Sequence, residues 1–264
     1  MSDKRFENKV AVVIGGAQGV GKALALRLAR EGASVIVADR QADKAEEVAE
    51  ECRKLGKAAK SVEMDLRDSA CGTDLVTGTV AAYGRLDLCA FCAGVAAIRY
   101  WLDIPLDEWD TMMSVNARGA FICLQAIARQ MIAQGDGGAI VTLASPSGQG
   151  PRPDAAHYGA SKAALIHLTR TIALDLARYH IRVNGVSPGI IDTAMWKGVL
   201  HERAGMQGIS TEEYAKNVYA SVPLGVPAQP EWIAGLVAFL LSDEAGYITG
   251  QIINQDGGYT LQVP

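Results

Sequence analysis

Short apolar runs closed by glycine, asparagine or aspartate alternate along the chain with longer stretches in which apolar residues recur every three to four positions. The short runs predict strands at 10–14, 34–38, 58–64, 86–91, 139–144, 182–186 and 251–254. The longer periods predict helices at 20–31, 42–55, 69–83, 106–133, 155–179 and 231–241. Strands and helices that alternate in this way imply an α/β protein: a doubly wound, Rossmann-type parallel sheet of about seven strands, covered by helices on both faces as a three-layer α/β/α sandwich. No linker and no internal repeat interrupts the pattern, so residues 1–264 read as one domain. Residues 192–228 lack a clean period and are too long for a simple connection, and we expect a partly helical lid over a substrate site there.

Composition narrows the class. With 264 residues, 49% of them hydrophobic, the chain can bury a sizeable core. Its 28 glycines call for many tight turns or close backbone approaches. The net charge of −4 and the absence of any long Lys/Arg run exclude a nucleic acid partner. The longest apolar run, 233–241, falls short of the roughly 18 residues of a membrane span. An apolar start at Val10 breaks after five residues into a glycine turn, so the mature chain is read as beginning near Met1, in the cytoplasm. The odd set of five cysteines argues for reduced thiols. Cys89 and Cys92 form a C-x-x-C inside a predicted strand, where positions three apart point to opposite faces. No metal site is expected.

The candidate chemistry starts at the first strand-to-helix turn. Gly15, Gly19 and Gly21 follow the run at 10–14 and open the helix at 20–31. Missing side chains there let the backbone approach a pyrophosphate, whose charge meets the positive end of that helix. Asp39 stands 18 residues past Gly21, at the end of the next strand, where a carboxylate can accept both adenosine-ribose hydroxyls. Further along, Tyr158 and Lys162 stand four apart on one predicted helix and share a face, so the ammonium is expected to favour phenolate and lower the tyrosine pKa. Ser145 closes a strand at the end of the sheet where ligands bind, placing its hydroxyl to hold a substrate oxygen.

The spacing G-x-x-x-G-x-G resembles the fingerprint of the short-chain dehydrogenase/reductase family. Other motifs match in chain order: Asp65-Leu66 after the third strand, Asn116 in Ser114-Val115-Asn116, Ser145 placed 13 residues before the Tyr158-x-x-x-Lys162 motif, Ser187-Pro188-Gly189 followed by Thr193, and Asp256-Gly257-Gly258. The resemblance spans residues 9–258. It implies a catalytic set of Asn116, Ser145, Tyr158 and Lys162, with Tyr158 as acid-base, Lys162 also holding the nicotinamide ribose and Asn116 holding a relay water. It also implies cofactor contacts at Gly15, Gln18, Gly19, Val20, Gly21, Asp39, Arg40, Asp65, Leu66, Gly94, Pro188, Gly189, Ile191 and Thr193. A homotetramer, or failing that a dimer, is implied through the helices at 106–133 and 155–179 and the C-terminal helix and strand.

Two departures stand out: Ile14 where the family commonly has threonine, and Phe91-Cys92-Ala93-Gly94 where it has Asn-Asn-Ala-Gly. Only the backbone role of Gly94 carries over from the second. Arg99, Arg152 and Trp196 are candidate substrate contacts, the arginines as clamps for an anionic group. The leading expectation is an NAD-dependent dehydrogenase that oxidises a secondary hydroxyl of a sugar, polyol or small cyclic alcohol. The alternatives are an NADPH-using 3-oxoacyl reductase, disfavoured by Asp39 and Gln18 but kept open by Arg40, and a non-catalytic NAD(H)-binding protein.

Overall fold

The computed structural model describes residues 4–261, and the expected start at Met1 lies outside them. Seven parallel strands form one sheet: β1 (Val10–Ile14), β2 (Ser34–Asp39), β3 (Ala59–Glu63), β4 (Leu88–Phe91), β5 (Gly138–Leu143), β6 (Ile181–Pro188) and β7 (Ile252–Gln255). Their spatial order is β3-β2-β1-β4-β5-β6-β7. The chain therefore winds outward from β1 in one direction, then returns to its other side with β4. This reversal leaves a crevice beyond the carboxyl ends of β1 and β4, where ligands bind in open α/β sheets.

Two apolar cores flank the sheet, each fed by alternate strand residues. Ala11, Val13, Val35 and Val37 face α1 (Gly19–Arg30), α2 (Ala42–Lys54) and α9 (Pro230–Leu241). Val12, Ile14, Ile36 and Phe91 face α3 (Cys71–Tyr83), α5 (Ala120–Gln134) and α6 (Ala156–Leu176). All five residues of β1 are buried, as expected of a central strand covered on both sides. Cys89 packs in the second core and Cys92 against the first, on opposite faces as the strand period requires.

The structure departs from the sequence expectation in one helix. The single helix expected at 106–133 is instead α4 (Leu106–Met113), one widened π-helical turn (Ser114–Gly119) and α5. Its apolar period runs on without a break, and the turn ends at a close approach: a β-carbon on Gly119 would sit 2.7 Å from the Leu66 β-carbon. The turn also carries Asn116, whose side chain is spent on a distant backbone segment. Residues 192–228, expected to be partly helical, carry α7 (Ala194–Gln207) and α8 (Thr211–Ala220). Thr193 caps the Trp196 amide at 3.3 Å and Ser210 caps the Glu213 amide at 3.1 Å. Only Leu200 and Ala204 of α7, and no residue of α8, are buried, which explains the weak period. The segment is closed at its base by a bridge between Ile191 and Ala228. No helix among the described residues is long and apolar enough to cross a membrane.

Candidate active site

The strand-to-helix turn after β1 is built on missing side chains. Gly15 adopts φ +81°, and a β-carbon there would lie 2.6 Å from the Ala93 backbone. A β-carbon on Gly21 would lie 2.0 Å from the Gly15 carbonyl oxygen, so only glycine lets α1 start this close to β1. The α1 N-terminus therefore opens directly on the crevice, with no acidic residue in its first turn to neutralise the helix dipole. At the end of β2, the Asp39 carboxylate accepts hydrogen bonds from the Ala17 amide at 3.1 Å and the Gln41 amide at 3.0 Å, which fix its orientation beside the turn.

Beyond the next strand, Asp65 pairs with Arg67, whose guanidinium holds the carboxyl pKa down at about 2. Leu66 is buried against Gly119 of the π turn. Gly94 lies against the catalytic candidates: a β-carbon on it would come within 3.3 Å of both Asn116 Oδ1 and Lys162 Nζ.

The catalytic candidates converge from three elements. Ser145 follows β5, and its Oγ accepts from the Ser147 amide at 3.2 Å. Tyr158 and Lys162 stand on α6, with Lys162 Nζ 5.9 Å from the Tyr158 ring centroid. Lys162 Nζ donates to the Leu143 carbonyl at 2.8 Å. Asn116 is fully buried and does not reach the cavity wall. Its amide holds the Val95 backbone from both sides, accepting from the Val95 N–H and donating to the Val95 carbonyl, each at 2.8 Å, and also donates to Ser161 Oγ at 3.0 Å.

Electrostatics correct one expectation. Burial raises the Tyr158 pKa above its usual value, and the Ser145 hydroxyl lowers it only part of the way back. The same burial pulls Lys162 down to about 8. The ammonium thus does not lower the phenol as its i, i+4 spacing suggested, because desolvation is the largest influence on both groups. Cys92, one of the departures from the family pattern, is a half-buried thiol that desolvation pushes up to about 12 beside Lys162.

A single cavity of about 770 Å³ joins these parts. Its wall contains Gly15, Gln18, Gly19, Val20, Gly21, Asp39, Arg40, Asp65, Leu66, Gly94, Ser145, Tyr158, Lys162, Pro188, Gly189, Ile191 and Thr193. Of the substrate candidates, Arg152 and Trp196 line it, and the Trp196 indole donates to Tyr219 Oη at 3.3 Å. Arg99 does not; it lies 3.4 Å from Glu108, which also holds the buried His157 at 3.1 Å. Among the wall residues that the sequence did not single out are Arg203 and Tyr259. Arg203 is bound bidentately to Asp154, at 2.7 and 3.1 Å, a partner 49 positions away that no local pattern reveals. Among the described residues no cluster of three His, Cys, Asp or Glu side chains could hold a metal ion.

Comparison with known proteins agrees with this architecture. A short-chain dehydrogenase family model, described as enoyl-(acyl carrier protein) reductase, matches residues 15–260. The chain is 34% identical to sorbitol dehydrogenase of Cereibacter sphaeroides, over 96% of this chain and 98% of that one. It is also 34% identical to a 3-oxoacyl-[acyl-carrier-protein] reductase of Thermotoga maritima, over 97% of this chain and all of the relative. The crystal structure of NAD+-bound xylitol dehydrogenase superposes with a TM-score of 0.92 at 35% identity, covering 96% of this chain and 99% of that one. With its glycine turn, its seven-stranded parallel sheet and these full-length likenesses, the chain belongs to the short-chain dehydrogenase/reductase family of oxidoreductases.

Proposed function

We propose that this oxidoreductase is an NAD-dependent dehydrogenase of secondary alcohols, with a sugar, polyol or small cyclic alcohol as substrate. One observation carries the reading: a continuous cavity runs from the glycine turn and Asp39 to Ser145, Tyr158 and Lys162. The residues present fit a dinucleotide. The space above Gly15, Gly19 and the α1 N-terminus suits a pyrophosphate, and Asp39 suits two ribose hydroxyls while repelling a 2′-phosphate. Asp65 and Leu66 flank the adenine position, with Gly94, Pro188, Gly189, Ile191 and Thr193 along the nicotinamide half. The relatives that act on sorbitol and, with NAD+ bound, on xylitol support the same cofactor and substrate class.

Bound there, NAD+ supplies the hydride acceptor. Ser145 holds the substrate hydroxyl, and Tyr158 removes its proton at Oη. Lys162 contributes in two ways: its ammonium orients a ribose hydroxyl, and its charge favours phenolate once the site is filled. Asn116 acts through position, fixing the Val95 segment that forms the wall beside the proton relay. Assembly as a homotetramer completes the reading. The discriminating experiment titrates NADH and NADPH by fluorescence, then screens secondary alcohols with NAD+ and NADP+. Tight NADH binding and turnover of polyols or cyclic alcohols with NAD+ are expected. Binding without turnover of any alcohol would point to a non-catalytic NAD(H)-binding protein.

A second reading has one observation in its favour. Arg40 lines the cavity next to Asp39, where a guanidinium could meet a 2′-phosphate, as an NADPH-using 3-oxoacyl reductase requires. Preference for NADPH with a 3-oxoacyl thioester in the same assay would establish it.

A further inference from the structure

We infer that the substrate carries a carboxylate, read by Arg152, so that the secondary alcohol is a hydroxy acid. The inference rests on the dehydrogenase reading above and narrows its substrate class. The cationic side chains at the lid end of the cavity and beside it are almost all neutralised. Arg203 is bound to Asp154 by two hydrogen bonds, Lys197 lies 3.4 Å from Asp192, and Arg99, off the wall, lies 3.4 Å from Glu108. Lys162 is buried among the catalytic groups and bound to the Leu143 carbonyl. Arg152 differs: it has no carboxylate partner and no side-chain hydrogen bond among the described residues, yet it lines the cavity half-buried, six positions before Tyr158.

Among the described residues its charged group meets an aromatic face. The guanidinium lies 5.0 Å from the centroid of the Tyr259 ring. A guanidinium over a ring face at this distance can stack flat, and in that orientation its in-plane N–H groups stay free, the fork that matches a carboxylate bidentately. The backbone segments that carry both residues are tied down. The Tyr259 amide donates to the Asp256 carbonyl at 3.1 Å, and Gln149 ties the Arg152 loop to Asn254 at 2.7 Å. The arginine is thus pre-organised without being satisfied, an arrangement that favours a ligand more than it favours the fold. One uncompensated positive charge suits a planar monoanion. A phosphate dianion would call for a second free cation, and Arg203, Lys197 and Arg99 are all committed. The carboxylate takes no part in the redox step; it anchors the far end of the substrate while the hydroxyl lies at Ser145 and Tyr158.

The test uses the full-length protein with NAD+ and three matched sets: linear and cyclic secondary hydroxy acids of three to eight carbons, their neutral primary amides, and secondary alcohols bearing a phosphate ester. Neutral polyols serve as a fourth set. Hydroxy acids are expected to exceed their amides in kcat/KM by about 10–10²-fold, the discrimination of one charge-assisted bidentate contact. In R152Q that acid-over-amide ratio should collapse by at least tenfold, mainly through KM, while R152K restores part of it. NADH affinity, measured separately, reports whether R152Q remains folded. Equal ratios in wild type and R152Q, or a preference for phosphate esters, would overturn the inference. Turnover of polyols without any turnover of acids would overturn it while leaving the dehydrogenase reading intact. If no alcohol of any set turned over while NADH bound, both would fall.

Discussion

At the scale of single residues, the site's chemistry depends on groups whose burial and charge oppose each other. Tyr158→Phe keeps the ring and the packing of α6 but removes the proton-transferring oxygen. Turnover should fall by about 10²–10⁴-fold with NADH affinity retained. Near wild-type turnover in a variant that binds NADH would discard the mechanism. Asp39→Ala should abolish or reverse the preference for NAD over NADP, read as the ratio of kcat/KM with the two cofactors. An unchanged ratio would shift attention to Arg40. Lys162 gives a pH signature. Its folded pKa of about 8 lies below its unfolded value near 10.5, so the unfolded chain binds more protons between those limits. Stability of the cofactor-free protein should therefore rise with pH over that window, by about 3 kcal/mol at most from this group. Replacement by methionine removes the charge: the thermal-midpoint advantage of Lys162→Met over wild type should shrink from pH 7.5 to 10. The residues of the cavity were legible because spacing along strands and helices fixes which side chains share a face or an end. Desolvation was not legible, since it depends on what packs around Tyr158 and Lys162 from other elements, and it reverses the sign inferred for the phenol.

At the scale of elements, period alone located the strands, since the inner ones are buried on both faces and the edge strands β3 and β7 are short runs bounded by turns. It failed where an element's shape is set by contacts outside it. The π turn at Ser114–Gly119 interrupts a helix whose apolar positions continue regularly, at a place where Leu66 lies against Gly119 and Asn116 reaches across to Val95. The bounds of α7 and α8 were hidden for the opposite reason: they bury too little to leave a stripe. Close packing of elements also sets the tolerance of the glycine turn. Gly21→Ala would place a β-carbon 2.0 Å from the Gly15 carbonyl, a backbone atom that cannot rotate away. The N-terminus of α1 must then lift from β1, with an expected loss of about 1–3 kcal/mol in denaturant unfolding. NADH affinity should fall with it, because the pyrophosphate cradle is the same contact. Wild-type stability and affinity in this variant would show that the turn relaxes freely.

At the scale of the molecule, the fold leaves apolar surface on faces that the two cores do not cover. Phe121 on α5 is 48% exposed and Leu174 on α6 is 83% exposed, both on helices that cover the same side of the sheet. A second set lies at the other end of the chain: Trp232 on α9, 54% exposed, Tyr247, fully exposed, and Leu261, with β7 as an edge strand between them in sequence. Single exposed apolar residues are ordinary on a monomer, and it is the coincidence of these positions with the helices and strand through which family resemblance implies pairing that gives them weight. Two separate surfaces, each meeting its own copy, generate a tetramer of dihedral symmetry, whereas one surface gives only a dimer. Sedimentation velocity at micromolar concentration should accordingly show four subunits. Glutamate at both Phe121 and Leu174 should split the assembly into dimers without unfolding the subunit, since neither side chain contributes to a buried core. Trp232→Glu should split it through the second surface. A wild-type monomer, or a tetramer indifferent to charge at all three positions, would place assembly on other surfaces or remove it altogether.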